Sequence, residues 1–124
     1  MKKQARENPN GATREQALRF NEGKSRVDQL PAESLLEVGR VSTYGVQKYG
    51  LYNWQRGQPW GNCTGAALRH IYQFMSGEDR DPESGVHHLA HACWNLLALI
   101  WYQKKGLGKD DRVRSPEEET TVKE

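Results

Sequence analysis

SGVHHLAHACWNLLALIWYQ, residues 84–103, is the stretch that decides the fold. From Leu89 onward it is apolar almost all round a helical wheel, and Gly106 follows shortly after its end. A helix that is apolar on every side belongs in the middle of a bundle, because any other position would leave apolar side chains in water. The sequence therefore predicts a central, buried helix from about Ser84 to Gln103.

Two further helices are predicted upstream. The first begins near Pro31, whose fixed φ suits a first helical turn, and the second begins near Thr64, which can serve as an N-cap, and ends at Gly77. Apolar residues recur at helical spacing in both: Leu35, Val38 and Val41 in the first, and Leu68, Ile71, Tyr72 and Met75 in the second. Since no segment alternates as a strand does, the predicted fold class is all-α, a small bundle of three to four helices.

Composition divides the chain into three segments. We expect a flexible basic arm over residues 1–22, with a possible short helix around Thr13 to Phe20, a helical domain over 23–105, and a disordered charged tail over 106–124. A foldable part of roughly 80 residues supplies only about 3–5 kcal/mol from its core. A bound metal or a homo-oligomer is therefore expected.

The formal net charge is +2, but the charges are distributed unevenly along the chain. Residues 1–26 carry seven basic and three acidic side chains, whereas residues 27–103 carry five basic and seven acidic ones. An acidic folded domain argues against a broad nucleic-acid-binding face, although the basic arm can still touch phosphates. A small anionic ligand held through cations fits better.

The sequence gives no sign of export or membrane insertion. The longest apolar stretch, Leu96 to Tyr102, is far shorter than a membrane span, and the basic N-terminus has no apolar run after it. Cys63 and Cys93 lie outside any Cys-x-x-Cys pair, which suits two unpaired thiols in a reducing compartment. We expect a cytoplasmic protein.

A polar stripe runs along the predicted central helix. His88, His91 and Asn95 recur at i, i+3 and i+7 and so project from one side, with His87 four residues before His91 leaving the pairing open. Each buried polar group without a partner costs about 1–3 kcal/mol. The stripe therefore predicts hydrogen-bond partners or a ligand.

Carboxylates cluster just before that helix. Glu78, Asp79, Asp81 and Glu83 fall within six residues, and a further imidazole, His70, lies on the second helix. A helix-loop-helix calcium site is excluded because the sixth and twelfth positions of such a loop would be Ser84 and Ala90. The candidate ligands of a divalent metal are Glu78, Asp81, His88, His91 and His70. The alternative is an acidic helix N-terminus that stabilises the helix dipole, and both interpretations can hold together.

Glu33 and Glu37 lie one turn apart on the first helix, where they can reach a cation or face water beside Arg40. Basic residues that can balance phosphate charge are Lys24, Arg26, Lys48 and Arg69.

A long loop from Tyr49 to Cys63 carries several aromatic residues. Loops of this length are usually functional or disordered. An aromatic ring such as that of Trp54 can stack on a base, with Asn53 offering a donor and an acceptor to the base edge. Capping a small core is the alternative role for these rings.

Four segments, taken together, resemble a known family. They are, in order, Gly23-Lys24-x-Arg26-x-Asp28-x-Leu30-Pro31, Tyr44-Gly45-x-x-Lys48-Tyr49-Gly50-x-x-Asn53-Trp54, Arg69-His70, and Gly77-Glu78-Asp79-x-Asp81-Pro82-Glu83-Ser84-Gly85-x-x-His88-Leu89-Ala90-His91-Ala92. They resemble, over about residues 20–103, the phage and bacterial dATP/dGTP diphosphohydrolase N-terminal domain family.

This resemblance implies hydrolysis of a purine deoxynucleoside triphosphate to monophosphate and pyrophosphate in the cytoplasm of a phage-infected or bacterial cell. The helical layout is similar to that of MazG-type pyrophosphohydrolases, whose helices hold divalent metals with carboxylates. Those enzymes share Glu-x-x-Glu followed by Glu-x-x-Asp, whereas this chain has Glu33-x-x-x-Glu37 and His88-x-x-His91. Magnesium or manganese is the expected cofactor, and the imidazoles favour manganese, cobalt, nickel or zinc.

In the implied mechanism, metal-activated water attacks phosphorus and Glu78 or Glu83 accepts a proton. The residues expected to bind substrate are Lys24, Arg26, Lys48, Asn53, Trp54, Arg69 and Asn95. Two other functions compete with this one. The first is a non-catalytic protein that binds or sequesters a nucleotide, which the missing acidic pair favours. The second is a protein-binding domain in which the His and acidic cluster is structural.

Overall fold

A computed structural model describes residues 17, 18, 20 and 22–114. The chain divides into two compact units, Met1–Leu30 and Pro31–Glu124. In the first, Val27–Gln29 form a 3₁₀ turn. The predicted helix around Thr13 to Phe20, most of the basic arm over 1–22, and residues 115–124 of the predicted tail lie outside the described residues.

The second unit contains three α-helices in its described part: α1 (Ala32–Tyr49), α2 (Trp60–Met75) and α3 (His88–Lys105). Asn53–Arg56 form a 3₁₀ turn between α1 and α2. Pairing of β type is limited, in these residues, to two isolated bridges. The all-α prediction is confirmed.

Two helix starts differ from the sequence prediction. The second helix, α2, begins at Trp60 after Pro59, so Thr64 is not its N-cap and its hydroxyl donates instead to the Gly61 carbonyl. The third helix, α3, begins at His88, and the imidazole of His87 caps it by accepting from the Leu89 amide. A proline without a side-chain cap precedes α2, and a histidine cap precedes α3; apolar periodicity reports neither.

Helix α3 packs against both α1 and α2, which makes it central as predicted. Between α1 and α3, Val38 and Val41 pack with Val86 and Ala90. Between α2 and α3, Cys63 packs with Ala98 and Tyr102, and indole rings surround this second cluster. The expectation that α3 is buried all round is wrong, because Leu89, Leu96, Leu97 and Ile100 on its far side remain exposed.

The chain after α3 returns to the start of α2. Trp60 donates its indole N–H to the Leu107 carbonyl (3.0 Å) and its amide to the Lys109 carbonyl (2.9 Å). The Gly61 amide donates to an Asp111 carboxylate oxygen (2.9 Å). The packed unit therefore includes residues up to Asp111, inside the segment predicted as a tail.

No helix in the described part of the chain is long and apolar enough to cross a membrane.

Replacing Tyr102 by phenylalanine tests the core between α2 and α3. The Tyr102 side chain is fully buried, and its hydroxyl donates to the Trp54 carbonyl and accepts from the Gln58 amide. Tyr102→Phe removes both hydrogen bonds of this hydroxyl, while the Trp54 carbonyl still accepts from the Gly57 amide (3.3 Å). At about 0.5–1.5 kcal/mol for each bond, we expect a loss of about 1–3 kcal/mol in the free energy of unfolding, measured by urea titration. Tyr72→Phe, at an exposed tyrosine, is the control. Equal small losses in both variants would contradict the role given to the hydroxyl.

Candidate functional site

A groove of about 910 Å³ runs between α1 and α2, with α3 as its floor. The helices bring side chains from distant parts of the sequence to its walls. Its lining includes nine of the predicted site residues: Lys48, Asn53, Trp54, Arg69, His70, Asp81, Glu83, His91 and Asn95.

A chain of hydrogen bonds starts at Glu78 and reaches the groove through two imidazoles. His88, whose side chain is fully buried, contacts the Glu78 carboxylate through Nε2 (2.7 Å). Its Nδ1 lies 2.8 Å from Nδ1 of His70, which lines the groove. A carboxylate only accepts, so Nε2 of His88 carries a proton and donates it to Glu78.

His91 occupies the groove side of α3 beside this chain. Its ring stacks on that of His70 with the planes 8° apart and the centroids 4.4 Å apart. Its Nε2 lies 2.6 Å from the Ser84 hydroxyl and 3.9 Å from an Asp81 carboxylate oxygen. The Tyr44 ring meets His91 edge-on. The ring is thus fixed on three sides.

Potential metal ligands converge at one end of the groove. One donor atom each from His70, Asp81 and His88 lies within 4.8 Å of the other two. Two Nδ1 atoms 2.8 Å apart cannot both point lone pairs at each other, so a proton or a cation must lie between them. Two imidazoles and one carboxylate are a donor set that a divalent transition metal accepts.

The ionisation of these groups suits such a cation. Burial, together with the neighbouring His91 and His88, lowers the pKa of His70, and burial also lowers the pKa of His91. Burial opposes ionisation of Asp81, but hydrogen bonds from the Ser84 amide and hydroxyl leave the pKa of this carboxyl below its usual value. At neutral pH His70 and His91 are therefore uncharged beside the Asp81 carboxylate.

Glu83 lies on the wall of the groove and bridges to α1. Its carboxylate accepts from the Tyr44 hydroxyl and from the Lys48 ammonium, the latter at 2.8 Å. The Lys48 and Tyr44 hydrogen bonds lower the pKa of Glu83, and the Glu83 hydrogen bond raises that of Lys48. Lys48 also stands over the Tyr44 and Tyr49 rings, which leaves it a positive charge on the groove wall at any physiological pH.

The aromatic loop after α1 divides into a packed part and an exposed part. Trp54 packs edge-on against Trp94 and Trp101 in the core between α2 and α3 while still reaching the groove. Tyr52 and Asn53 line the groove and are exposed. Tyr52 is the only non-glycine residue at positive φ (60°) among those described, a conformation that costs energy for a bulky side chain.

Glu37 has a structural role instead of facing water or a cation. Its carboxylate accepts from Arg80 (3.0 Å), Arg40 (3.3 Å) and the His87 amide (3.0 Å). The His87 hydrogen bond is the main reason that the pKa of this carboxyl lies below its usual value. Glu37 thereby ties the loop before α3 to α1.

The other predicted residues occupy different surroundings. Lys24 and Arg26 belong to the first unit, where the Arg26 guanidinium pairs with Asp28 (2.9 Å). Asn95 donates its side-chain amide to the His91 carbonyl one turn earlier (2.9 Å). Arg69 lines the groove next to His70 on α2.

Sequence reasoning missed Ser84, Tyr44 and Tyr52. Ser84 was predicted as the start of a helix, yet it lies in the turn that holds Asp81 and His91. Tyr44 falls four residues before Lys48 on α1, and this spacing was the signal that could have placed both on one face. Tyr52 is one of the aromatic residues of the predicted loop, but its positive φ depends on the turn at 50–53.

Comparisons with known proteins agree with the resemblance seen in the sequence. The sequence model described as dATP/dGTP diphosphohydrolase, N-terminal, matches residues 14–112. A dATP/dGTP diphosphohydrolase of Salmonella phage PMBT28 is 35% identical over 95 residues, which are 77% of this chain and 32% of that protein. The chain therefore spans about a third of the length of this relative. No solved structure matches.

Acidification tests the neutral imidazoles. The folded-state pKa values of His70 and His91 are lowered, so between those values and about 6.5 the unfolded chain binds more protons than the folded one. The free energy of unfolding should therefore fall as the pH is lowered through about 6.5 towards 5, above the range where carboxylates titrate. Urea titrations at pH 7.5 and 5.5 with a chelator measure this fall. His91→Gln should reduce it, and Tyr72→Phe, at an exposed tyrosine, should not. If the free energy of unfolding fell equally in the unaltered protein and both variants, the uncharged His91 would not be its cause.

Proposed function

We propose, since the chain belongs to the dATP/dGTP diphosphohydrolase N-terminal family, that its groove binds a purine deoxynucleoside triphosphate and hydrolyses it to monophosphate and pyrophosphate with a divalent metal. The observation that carries the proposal is the convergence of His70, Asp81 and His88 at the end of a groove whose walls hold Lys48 and Arg69. Ligands for a cation and positive side chains for phosphates then lie in one concave surface.

The metal would be held by His70, Asp81 and His88, whose donor atoms converge. A divalent cation supplies charge neutralisation on the phosphates and activation of water. Glu78 would act behind His88, because a carboxylate on the far nitrogen of a ligand imidazole fixes its tautomer and orientation. His91, held by Ser84 and stacked on His70, would complete or support this set. Two imidazoles favour manganese, cobalt, nickel or zinc over magnesium.

Hydrolysis requires a water oxygen to bond to the α-phosphorus while the bond from that phosphorus to the oxygen leading to the β-phosphate breaks. Pyrophosphate leaves with that oxygen, and the water gives up a proton. Glu83 would accept it, because this carboxylate lines the groove and is ionised at neutral pH. Glu78 is the alternative acceptor, although its contact with His88 favours the positioning role.

Charge and shape suggest how the nucleotide would lie. Lys48 of α1 and Arg69 of α2 both line the groove and would bind phosphates. Lys24 and Arg26 are proposed as further phosphate ligands by the resemblance alone. The base would lie towards the loop of Asn53 and Trp54, and Asn95 on the floor would contact the substrate between them. We further propose that the protein works in the cytoplasm, in which nucleotides are made and used, as a homo-oligomer.

Turnover is tested by incubating the purified protein with each deoxynucleoside triphosphate and Mg²⁺ or Mn²⁺, and by following monophosphate and pyrophosphate by chromatography. We expect metal-dependent release from dATP or dGTP. Asp81→Asn should lower kcat/KM by at least about 100-fold by weakening the metal site, whereas Asp79→Asn, two residues away and outside the groove lining, should not. Lys48→Met should raise KM by about 10-fold through loss of a phosphate contact.

The other outcomes separate the competing functions. Tight nucleotide binding without turnover would contradict the proposed hydrolysis and support a protein that sequesters a nucleotide. Absence of both binding and turnover, with His91→Ala unfolding the domain, would leave the cluster as a structural network.

Metal affinity tests the role of Glu78. Titration calorimetry with Mn²⁺ or Zn²⁺ should show one site that Asp81→Asn largely abolishes. Glu78→Gln should weaken it by about 10–100-fold, because the mutation disturbs His88 without removing a ligand. Glu33→Gln on α1 is the control. Unchanged affinity in Glu78→Gln would remove Glu78 from the site.

A further inference from the structure

One side of α3, turned away from the groove, is apolar and exposed. Leu89, Leu96, Leu97 and Ile100 are between 39% and 52% exposed. Cys93 lies on the same side by helical spacing and is half-buried, because it also packs against the core between α1 and α3. The groove floor, formed by His91, Trp94 and Asn95, lies on the opposite side of the helix. We call the surface formed by Leu89, Cys93, Leu96, Leu97 and Ile100 the back face of α3.

The second helix also exposes apolar side chains away from the groove. Leu68 and Met75 of α2 are 47% and 72% exposed and lie two turns apart on one side of that helix. Asn62, Ala66 and Arg69, which line the groove, lie on the other side. Helices of about 24–27 Å side by side give a face on the order of 500 Å² in projection, approaching the ~800 Å² of accessible surface that each partner buries in a stable complex.

The interior of the unit is correspondingly poor in large apolar side chains. Within the part of the chain that the structure describes, no leucine is buried. The buried apolar residues are small or medium in size apart from Tyr102. Residues 88–103 contain no Lys, Arg, Asp or Glu, so nothing on the back face favours water. A helix of this composition needs cover on all sides.

We infer that the back face of α3 binds the same face of a second copy of this chain, with the two helices antiparallel about a two-fold axis. Apolar positions at 89, 93, 96 and 100 follow the 4-3-4 spacing by which helices interlock. An axis passing between Cys93 and Leu96 sets Leu89 of each copy opposite Ile100 of the other. Identical apolar surfaces then cover each other completely.

Charges at the two ends of α3 complement each other in this arrangement. Lys104 and Lys105 follow the apolar stretch at the C-terminal end, whereas Glu78 and Asp79 lie at the N-terminal end. The Asp79 carbonyl accepts from the His88 amide, which fixes this acidic pair beside the first turn. An antiparallel pair brings Lys104 of each copy towards Asp79 of the other, whereas a parallel pair would bring like charges together. This complementarity selects a second copy as the occupant and antiparallel as its direction.

The inference gives the homo-oligomer of the proposed function its interface and does not depend on nucleotide hydrolysis. Analytical ultracentrifugation of the whole chain should give twice the monomer mass of 14.2 kDa. Leu96→Lys places a charge at the centre of the face and should raise the dimer Kd by at least about 100-fold. Leu51→Lys, at an equally apolar and more exposed residue beside the groove, should leave the Kd unchanged. Circular dichroism checks that both variants remain helical.

A charge exchange tests the direction of the helices independently of the apolar contacts. Lys104→Glu should raise the dimer Kd by about 5–10-fold at low salt, and adding Asp79→Lys should restore it, because the pair is then reversed across the axis. A monomer at all concentrations up to about 0.5 mM would overturn the inference. So would a dimer that Leu96→Lys leaves intact, or a loss in Lys104→Glu that Asp79→Lys deepens. Since nucleotide turnover is measured separately, a failure here leaves the proposed hydrolysis standing, and the reverse also holds.

Discussion

A single buried imidazole fixes how the parts of this unit meet. His88 enters the interior on a mostly apolar helix, and each of its ring nitrogens would cost about 1–3 kcal/mol if buried without a partner. Glu78 satisfies one nitrogen from the loop before α3, and His70 satisfies the other from α2. One ring therefore sets α2, the loop and α3 relative to one another. The end of the groove forms where these three elements meet.

The loop before α3 is held in place from two sides although it has no regular structure. Glu37 on α1 accepts from Arg80 and from the His87 amide, which anchors both ends of the loop. Within it, the Ser84 amide and hydroxyl hold Asp81 and His91 respectively. Carboxylates that point into a groove repel each other and need such restraint to stay in place. The acidic sequence before α3 thus supplies groups for a site and the turn that orders them.

The helical spacing of apolar and polar residues was sufficient to predict three helices and a central α3. It also predicted that His88, His91 and Asn95 lie along one side of that helix. It did not predict that His88 contacts Glu78 and His70, because these contacts depend on turns at Gly77 and Gly85, both at positive φ. The contact of residues 106–111 with the start of α2 was not predicted, for a different reason. Residues 106–111 look like a solvated tail in composition, but the Trp60 indole and amide and the Gly61 amide hold them to α2 by hydrogen bonds.

The two sides of α3 have different requirements. On the groove side the imidazoles must be held in fixed orientations, whereas the apolar back face is stabilised when it is covered and removed from water. A rotation of α3 by one residue, about 100°, would take His91 away from His70 and turn apolar side chains into the groove. Packing by α1 and α2 restrains this rotation from one side only. A second copy on the back face would restrain it from the other, so that dimer formation and the geometry of the histidines would depend on the same helix.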